Sequence, residues 1–260
     1  MLNWNKKERP LPSLTSMGGG PGGFVFGGDS VAQPGPWYDN LNPFNDGSQV
    51  GYWKLESANP RNENYTSQVC STLYGTPSYT ALGTAGYWNN PVNSTLNTNG
   101  NRRNSYPLSF SIWCYKETGD WTSGDGNQLL VNWSISGQRL SITNVDWSSN
   151  GTWEWSIMYG GSGHWTFAPT SRPENQWMHI VYTIHGSNDG NHRLYQDGGS
   201  GIAGTNQGGG HGGSAGNSIG GNSTSAEDWN GWMYNVRLFN KVLSQSEAAQ
   251  LYANDKPPGA

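Results

Sequence analysis

The feature that most constrains the fold is a series of short segments in which apolar and polar residues alternate, with turn signals between them. In the clearest segment, Leu108, Phe110, Ile112 and Cys114 share one face of a predicted strand. The other face carries Ser109, Ser111, Trp113 and Tyr115. Further strands are predicted at 50–55, 128–135, 139–143, 153–159, 164–168, 176–185, 192–196 and 232–239. Many short strands without helices between them predict an all-β, two-sheet antiparallel jelly-roll sandwich.

The composition excludes several other classes of protein. The 260 residues include 38 Gly, 14 Trp and 13 Tyr, but only 12% are charged, so the chain lacks the usual helix-forming residues. No stretch is apolar and long enough to span a membrane. The net charge of -4 argues against a nucleic-acid partner, which would require a basic surface.

Two features flank the last predicted strand. The Ser244–Glu247 spacing matches a capping box and predicts a short helix near 244–253 that closes the all-β domain. The Gly-rich residues 198–221 are interpreted as a long exposed loop. Cys70 and Cys114 are interpreted as buried free thiols, because two cysteines are too few for a disulfide scaffold.

Residues 1–48 form a Gly/Pro-rich segment that cannot build its own core, and residues 49–260 form the predicted domain. We expect residues 1–48 to be an extended arm. One alternative is that this arm packs back on its own domain. The favoured alternative places it in a groove of a neighbouring subunit. Its apolar anchor would be Phe24, Val25, Phe26 and Trp37.

Three segments carry a resemblance to a known family. They are Asp46–Leu55 with Gly86–Trp88, the strand Gln176–Tyr182, and the closing run Trp229–Ser244. Over about 50–253 the chain resembles laminin-G-like, concanavalin A-like jelly-roll domains. The resemblance implies a jelly roll that binds glycans or serves as a structural module, in secreted, cell-surface or bacteriophage virion proteins. Tyr234 and Asn235 stand where the family often has acidic residues, which weakens a metal site there.

The residues do not predict an enzyme. Glycosidases of this fold need two carboxylates facing one cleft, and the chain has no Glu-x-Asp-x-Glu triplet. The lone Glu154 is interpreted as an outward-facing strand residue. His179 is interpreted as a hydrogen-bonded sheet residue, since no second histidine has ligand spacing.

Aromatic and acidic residues in the predicted loops and strands are candidates for binding glycans, because aromatic rings stack on sugar faces. The candidates are Trp121, Trp147, Trp153, Trp155, Asp120 and Asp125. The alternative is that most tryptophans fill the interior between the sheets. No cofactor is predicted. A calcium ion held by loop Asp and Asn oxygens is left open, because no Asp-x-Asp-x-Asp loop occurs.

Two functions follow from these patterns. The first is a structural protein on the exterior of a virus particle: a phage capsid decoration, fibre or tail-associated protein. Its partners would be other virion proteins, through residues 1–48, and host glycans, with a homo-oligomer left open. The absence of an apolar secretion signal near the first residues supports this function. The second is a free-standing or surface lectin located outside the cell.

Overall fold

The computed structural model describes the greater part of the predicted domain. The described residues are 43–55, 72–74, 78–82, 85–90, 95–98, 105–117, 127–135, 138–145, 154–159, 163–167, 174–186, 190–208, 217–221 and 229–260. They form fifteen strands and one helix, and each strand pairs antiparallel with its neighbours.

The strands fall in the following order along the chain. The first eight are β1 Gln49–Trp53, β2 Thr72–Tyr74, β3 Ser78–Leu82, β4 Ala85–Asn90, β5 Thr95–Asn97, β6 Leu108–Lys116, β7 Asn127–Ile135 and β8 Gln138–Val145. The remainder are β9 Glu154–Tyr159, β10 Gly163–Phe167, β11 Gln176–Ile184, β12 Arg193–Gln196, β13 Ile202–Asn206, β14 Ser218–Ile219 and β15 Gly231–Phe239. Helix α1, Gln245–Asn254, follows the last strand.

The strands form one curled sheet whose two halves face each other. One half runs β2-β5-β14-β7-β8-β9-β10, and the other runs β12-β11-β6-β15-β4-β3, with β13 joining them and β1 beside β15. The buried core contains side chains of both halves, among them Trp133, Trp155, Phe110 and Ile180. The predicted all-β jelly-roll sandwich is therefore confirmed.

Strand β6 shows how the alternating pattern builds this core. Leu108, Phe110, Ile112 and Cys114 are all fully buried in the core cluster, as their spacing predicts. Cys114 is a free thiol, also as predicted, and burial raises its pKa. The alternation in the sequence thus identifies which face of this strand lies inside.

The region interpreted as a long exposed loop contains two strands. Within 198–221, strand β13 pairs with both β10 and β12, and β14 pairs with β5 and β7. The loop prediction is wrong here because β13 is held by main-chain hydrogen bonds. Its side chains stay largely exposed, so no apolar periodicity marks the strand.

Helix α1 begins where the capping box predicts. The Ser244 hydroxyl accepts from the Glu247 amide at 3.3 Å, and the Glu247 carboxylate accepts from the Ser244 amide at 2.8 Å. Ala248 and Leu251 then pack on the outer face of the β11 half of the sheet. Phe44 packs against the same layer, 5.3 Å from the Phe239 ring. The outer face of this half is therefore partly covered.

Candidate functional site

Three neighbouring strands carry an aromatic row on the outer face. Trp177 of β11 and Trp232 of β15 both lie opposite Tyr115 of the intervening strand β6. Their ring centroids lie 5.7 Å and 5.5 Å from that of Tyr115, in edge-to-face geometry. Each of these three side chains is half-buried. Since adjacent strands lie about 4.8 Å apart, the row spans about 10 Å of sheet.

A second row lies two residues further along the same strands and is more deeply buried. Trp113 of β6 stands between His179 of β11 and Tyr234 of β15. Tyr252 of α1 stacks on Trp113, with ring centroids 5.5 Å apart and an interplanar angle of 18°. The helix thus seals one end of the aromatic face and leaves the Trp177–Tyr115–Trp232 row open.

His179 is part of this second row and has no solvent contact. Its Nε2 lies 2.8 Å from the Ser111 hydroxyl, which confirms the predicted hydrogen-bonded sheet histidine. Burial, together with the positive charge of Arg237, lowers the pKa of His179 to about 3. The imidazole is therefore neutral at physiological pH and serves the sheet as a polar packing residue.

Trp177 and Tyr115 of the open row and the end of α1 border a groove with a volume of about 590 Å³, whereas Trp232 lies outside its lining. We call it the outer-face groove. Its lining comprises Leu82, Trp113, Tyr115, Asn175, Gln176, Trp177, Tyr252, Lys256 and residues 258–260. Gln176 and Lys256 are exposed, and the Lys256 ammonium lies 4.9 Å from the centroid of the Tyr252 ring. The groove therefore combines aromatic surfaces with amide and ammonium donors.

Gly231 allows β15 to approach β6 beside this groove. It has a φ of +150°, and a Cβ at this position would lie 2.3 Å from the Tyr115 carbonyl oxygen. A side chain would push β15 away from β6 and separate Trp232 from Tyr115. The glycine thus fixes the spacing of the aromatic row.

A bulge at Asn235 reverses the faces of β15 midway along the strand. The register with β6 shifts between Tyr234 and Arg237, and Asn235 adopts a φ of 46°. Asn tolerates this left-handed conformation better than most residues. Trp232 and Arg237 can consequently both lie on the outer face, although they are an odd number of positions, five, apart in the strand.

A buried polar network holds the chain beyond α1 against the sheet. Asp255 accepts two bonds from Arg237, at 2.6 and 2.8 Å, and its main-chain oxygen accepts from Asn235 at 3.0 Å. Arg237 also donates to Gln49 and lies 3.8 Å from the centroid of the Tyr52 ring. Because Tyr252 and Lys256 flank Asp255, this network positions one wall of the groove.

None of the residues predicted to bind glycans or a partner lines the outer-face groove: Trp155 lies in the core, and the others are outside the described residues. Trp155 is fully buried and stacks on Trp229 at 6.3 Å inside the sandwich, so its prediction as a glycan-binding residue is wrong. Its ring faces the core because it alternates with Ser156 on β9. The other candidates, Trp121, Trp147, Trp153, Asp120 and Asp125, lie outside the described residues. The same holds for Phe24, Val25, Phe26 and Trp37, for Cys70, and for the Glu154 side chain.

The residues predicted to bind glycans do not include those of the outer-face groove, although the sequence carries a signal for it. Each of the three strongest strands carries two ring-bearing residues at i and i+2, on the face opposite its core residues. The pairs are Trp113 with Tyr115, Trp177 with His179, and Trp232 with Tyr234. Their alignment across strands depends on the register, which the sequence alone does not give.

Among the described residues, no group of three or more His, Cys, Asp or Glu side chains is arranged to hold a metal ion. None of the helical residues in the described part of the chain makes a segment with the length and apolarity needed to cross a membrane.

Comparison with known families gives a match over most of the domain. The laminin-G-like model of the concanavalin A-like lectin/glucanases superfamily matches residues 89–249. No curated protein matches the chain.

Solved structures share the fold at low sequence identity. Domain 4 of AbnA, a GH43 extracellular arabinanase from Geobacillus stearothermophilus solved in complex with arabinotriose, superimposes with a TM-score of 0.57 and 16% identity. The match covers 79% of this chain and 98% of that domain. A Trypanosoma rangeli sialidase mutant that displays trans-sialidase activity matches with a TM-score of 0.51 and 20% identity. That match covers 79% of this chain but only 33% of the sialidase.

Proposed function

The chain belongs to the concanavalin A-like lectin/glucanases superfamily, and on that premise we propose that it binds carbohydrate through the outer-face groove. The observation that carries this proposal is the pair of half-buried rings Trp177 and Tyr115, which line an open groove of about 590 Å³. Half-buried aromatic rings keep one surface available to a ligand while the sheet fixes their orientation.

The chemistry of the groove suits a chain of sugar rings. The C–H face of a sugar ring is apolar and packs on an aromatic ring, whereas its hydroxyl groups need hydrogen-bond partners. Gln176, Asn175 and Lys256 supply polar groups at the edge of the groove. Trp177 and Tyr115 on the sheet and Tyr252 on α1 all line the groove, so it offers aromatic surfaces to more than one sugar ring. The related arabinanase domain was solved with a trisaccharide, arabinotriose, and this supports the choice of an oligosaccharide ligand.

We propose that the chain binds this ligand without cleaving it. Hydrolysis of a glycosidic bond by the usual route requires a pair of carboxylates on either side of the bond. Among the described residues, the lining of the groove includes no Asp or Glu side chain. The nearby Asp255 is held by Arg237 in a buried ion pair, so it has no role as an acid or a base.

A glycan array followed by calorimetry tests the proposal. The full chain is applied to the array, and the affinity for the best oligosaccharide, with arabinotriose as a fixed probe, is measured for the parent and two variants. Trp177→Ala is expected to weaken binding at least tenfold. Tyr79→Ala, which removes an exposed aromatic ring outside the groove lining, is the matched control and is expected to change little. The proposal fails if no glycan binds, or if both variants bind like the parent.

We further propose that residues 1–48 attach this domain to a virus particle, so that residues 49–253 project outward. The support is the Gly-rich sequence that surrounds Phe24, Val25 and Phe26, which suits an extended arm with one apolar anchor. A photo-crosslinking residue at position 26, introduced during assembly in the host, identifies the contact. Crosslinks to a capsid, fibre or tail protein are expected. Crosslinks confined to the chain itself would favour the free-standing lectin instead.

A further inference from the structure

A second pocket lies on the same half of the sheet, at the other end of α1. It has a volume of about 360 Å³ and is lined by His185, Asn191, Arg193, Tyr195, Val242, Leu243 and Ser244. The outer-face groove contacts the last turn of the helix through Tyr252, whereas this pocket contacts the N-cap residue Ser244. The two sites have no lining residue in common. We call the second site the Arg193 pocket.

Arg193 differs from two other basic side chains on this layer, Arg237 and Lys241. Arg237 is paired with Asp255, and Lys241 is paired with Asp46 and Glu247. Arg193 donates through Nη1 to the His192 carbonyl oxygen at 2.9 Å. No carboxylate among the described residues forms an ion pair with it. A half-buried guanidinium with one main-chain acceptor retains donors for a ligand.

The surroundings of Arg193 favour a negatively charged ligand. The lining contains His185 and Asn191, which supply polar groups, and the described lining has no acidic residue. The Ser244 hydroxyl is already bonded to Glu247. The nearest acidic side chain on α1, Glu247, is bonded to Lys241 and to its own N-cap. Tyr195 is 8% exposed and gives the pocket one aromatic wall. The pocket therefore offers a positive charge beside a flat ring.

We propose that the Arg193 pocket binds the carboxylate of an acidic sugar, such as a uronic acid. The planar guanidinium matches a carboxylate in a two-point, charge-assisted hydrogen bond, which a neutral sugar cannot form. The pocket volume lies within the range of small-ligand sites and is large enough for a single sugar residue. This site is independent of the outer-face groove and adds a second ligand class to the domain.

Titration of the full chain with galacturonate tests this assignment, with galactose as the neutral probe of matched shape. We expect galacturonate to bind at least tenfold more tightly than galactose. Arg193→Gln should remove that difference, and Arg193→Lys, which keeps the charge but loses the planar fork, should restore only part of it. Lys54→Gln removes a positive charge outside both pocket linings and is the matched control, with no change expected.

Three results would overturn the assignment: equal affinities for galacturonate and galactose, a galacturonate affinity unchanged in Arg193→Gln, or displacement by sulfate as effective as by galacturonate. A thermal melt of Arg193→Gln shows whether a loss of binding reflects unfolding. If Arg193→Gln is unfolded, the affinity of Arg193→Lys for galacturonate decides instead: partial recovery of the preference over galactose supports the assignment, and no preference overturns it. Trp177→Ala tests the groove and Arg193→Gln tests this pocket, so either proposal can be rejected without affecting the other.

Discussion

The two faces of the β11–β6–β15 layer are both rich in aromatic residues, yet the rings on the inner face are fully buried and several on the outer face remain partly exposed. On the inner face, Phe110 packs edge-to-face on Trp133 across the core at 5.5 Å, and both rings are fully buried. On the outer face, Trp177 and Trp232 stay half-buried around Tyr115. Inside, the opposing half of the sheet covers both of these rings, whereas on the outer face, among the described residues, α1 and Phe44 cover only part of the layer. A high tryptophan content therefore does not by itself indicate a sugar site.

The largest expected difference between the faces is in stability. Trp133→Ala should lower the free energy of unfolding by about 3–5 kcal/mol, because it leaves a large cavity between Trp53 and Phe110. Trp177→Ala should cost only about 1 kcal/mol, because its ring already contacts solvent. Urea denaturation of both variants measures the difference. Equal losses would show that the outer face is as tightly packed as the core.

The next largest effect concerns the network that positions the groove wall. Asp255→Asn should destabilise the fold by about 3–5 kcal/mol, since it leaves the Arg237 charge buried without its partner. The same denaturation assay checks this. The double variant Arg237→Met with Asp255→Leu is the control and should be more stable than the single variant, because it removes the charge together with its partner. A double variant that is less stable would contradict this account.

A pH titration tests the burial of His179 in the second aromatic row, which the partly exposed first row lacks. Burial holds the pKa of His179 at about 3 in the folded chain, below the ordinary value of 6.5, so the unfolded chain takes up a proton first as the pH falls. Folding stability should therefore fall between about pH 6.5 and pH 3, by about 1 kcal/mol per pH unit from this residue.

Denaturation of the parent and of His179→Gln across this range measures that contribution. The Lys241 ammonium and hydrogen bonds to serine lower the pKa values of Asp46 and Glu247. Protonation of these two carboxylates on acidification therefore also lowers the stability of the fold. Their contribution is present in both proteins and cancels in the difference. Parallel pH curves for the two proteins would rule out a neutral, buried His179.

The smallest expected effect comes from the helix that partly covers the outer face. Ser244→Ala removes the side-chain half of the capping box and should cost about 1 kcal/mol. Thermal melts, together with glycan affinity, measure whether the loosened helix also weakens the groove that it borders through Tyr252. Gln245→Ala, an exposed first-turn change, is the control and should be close to neutral.

Local patterns were enough to predict the regular parts of the fold. The nine predicted strands each coincide with an observed strand to within a few residues, and the Ser244–Glu247 box gave the start of α1. The short strands β2 to β5, β13 and β14 were missed. They have few residues, and their places in the sheet depend on main-chain pairing with distant segments.

By itself, the sequence determined that the chain is a jelly-roll sandwich and which residues of each long strand share a face, because side-chain direction in a strand follows a period of two. It did not determine which aromatic residues remain open to solvent. Trp155 and Trp177 are both strand tryptophans, yet the opposing half of the sheet buries the first and α1 stops short of covering the second. That outcome depends on strand register, on the bulge at Asn235 and on the packing of α1, all of which arise from contacts between residues far apart in the chain.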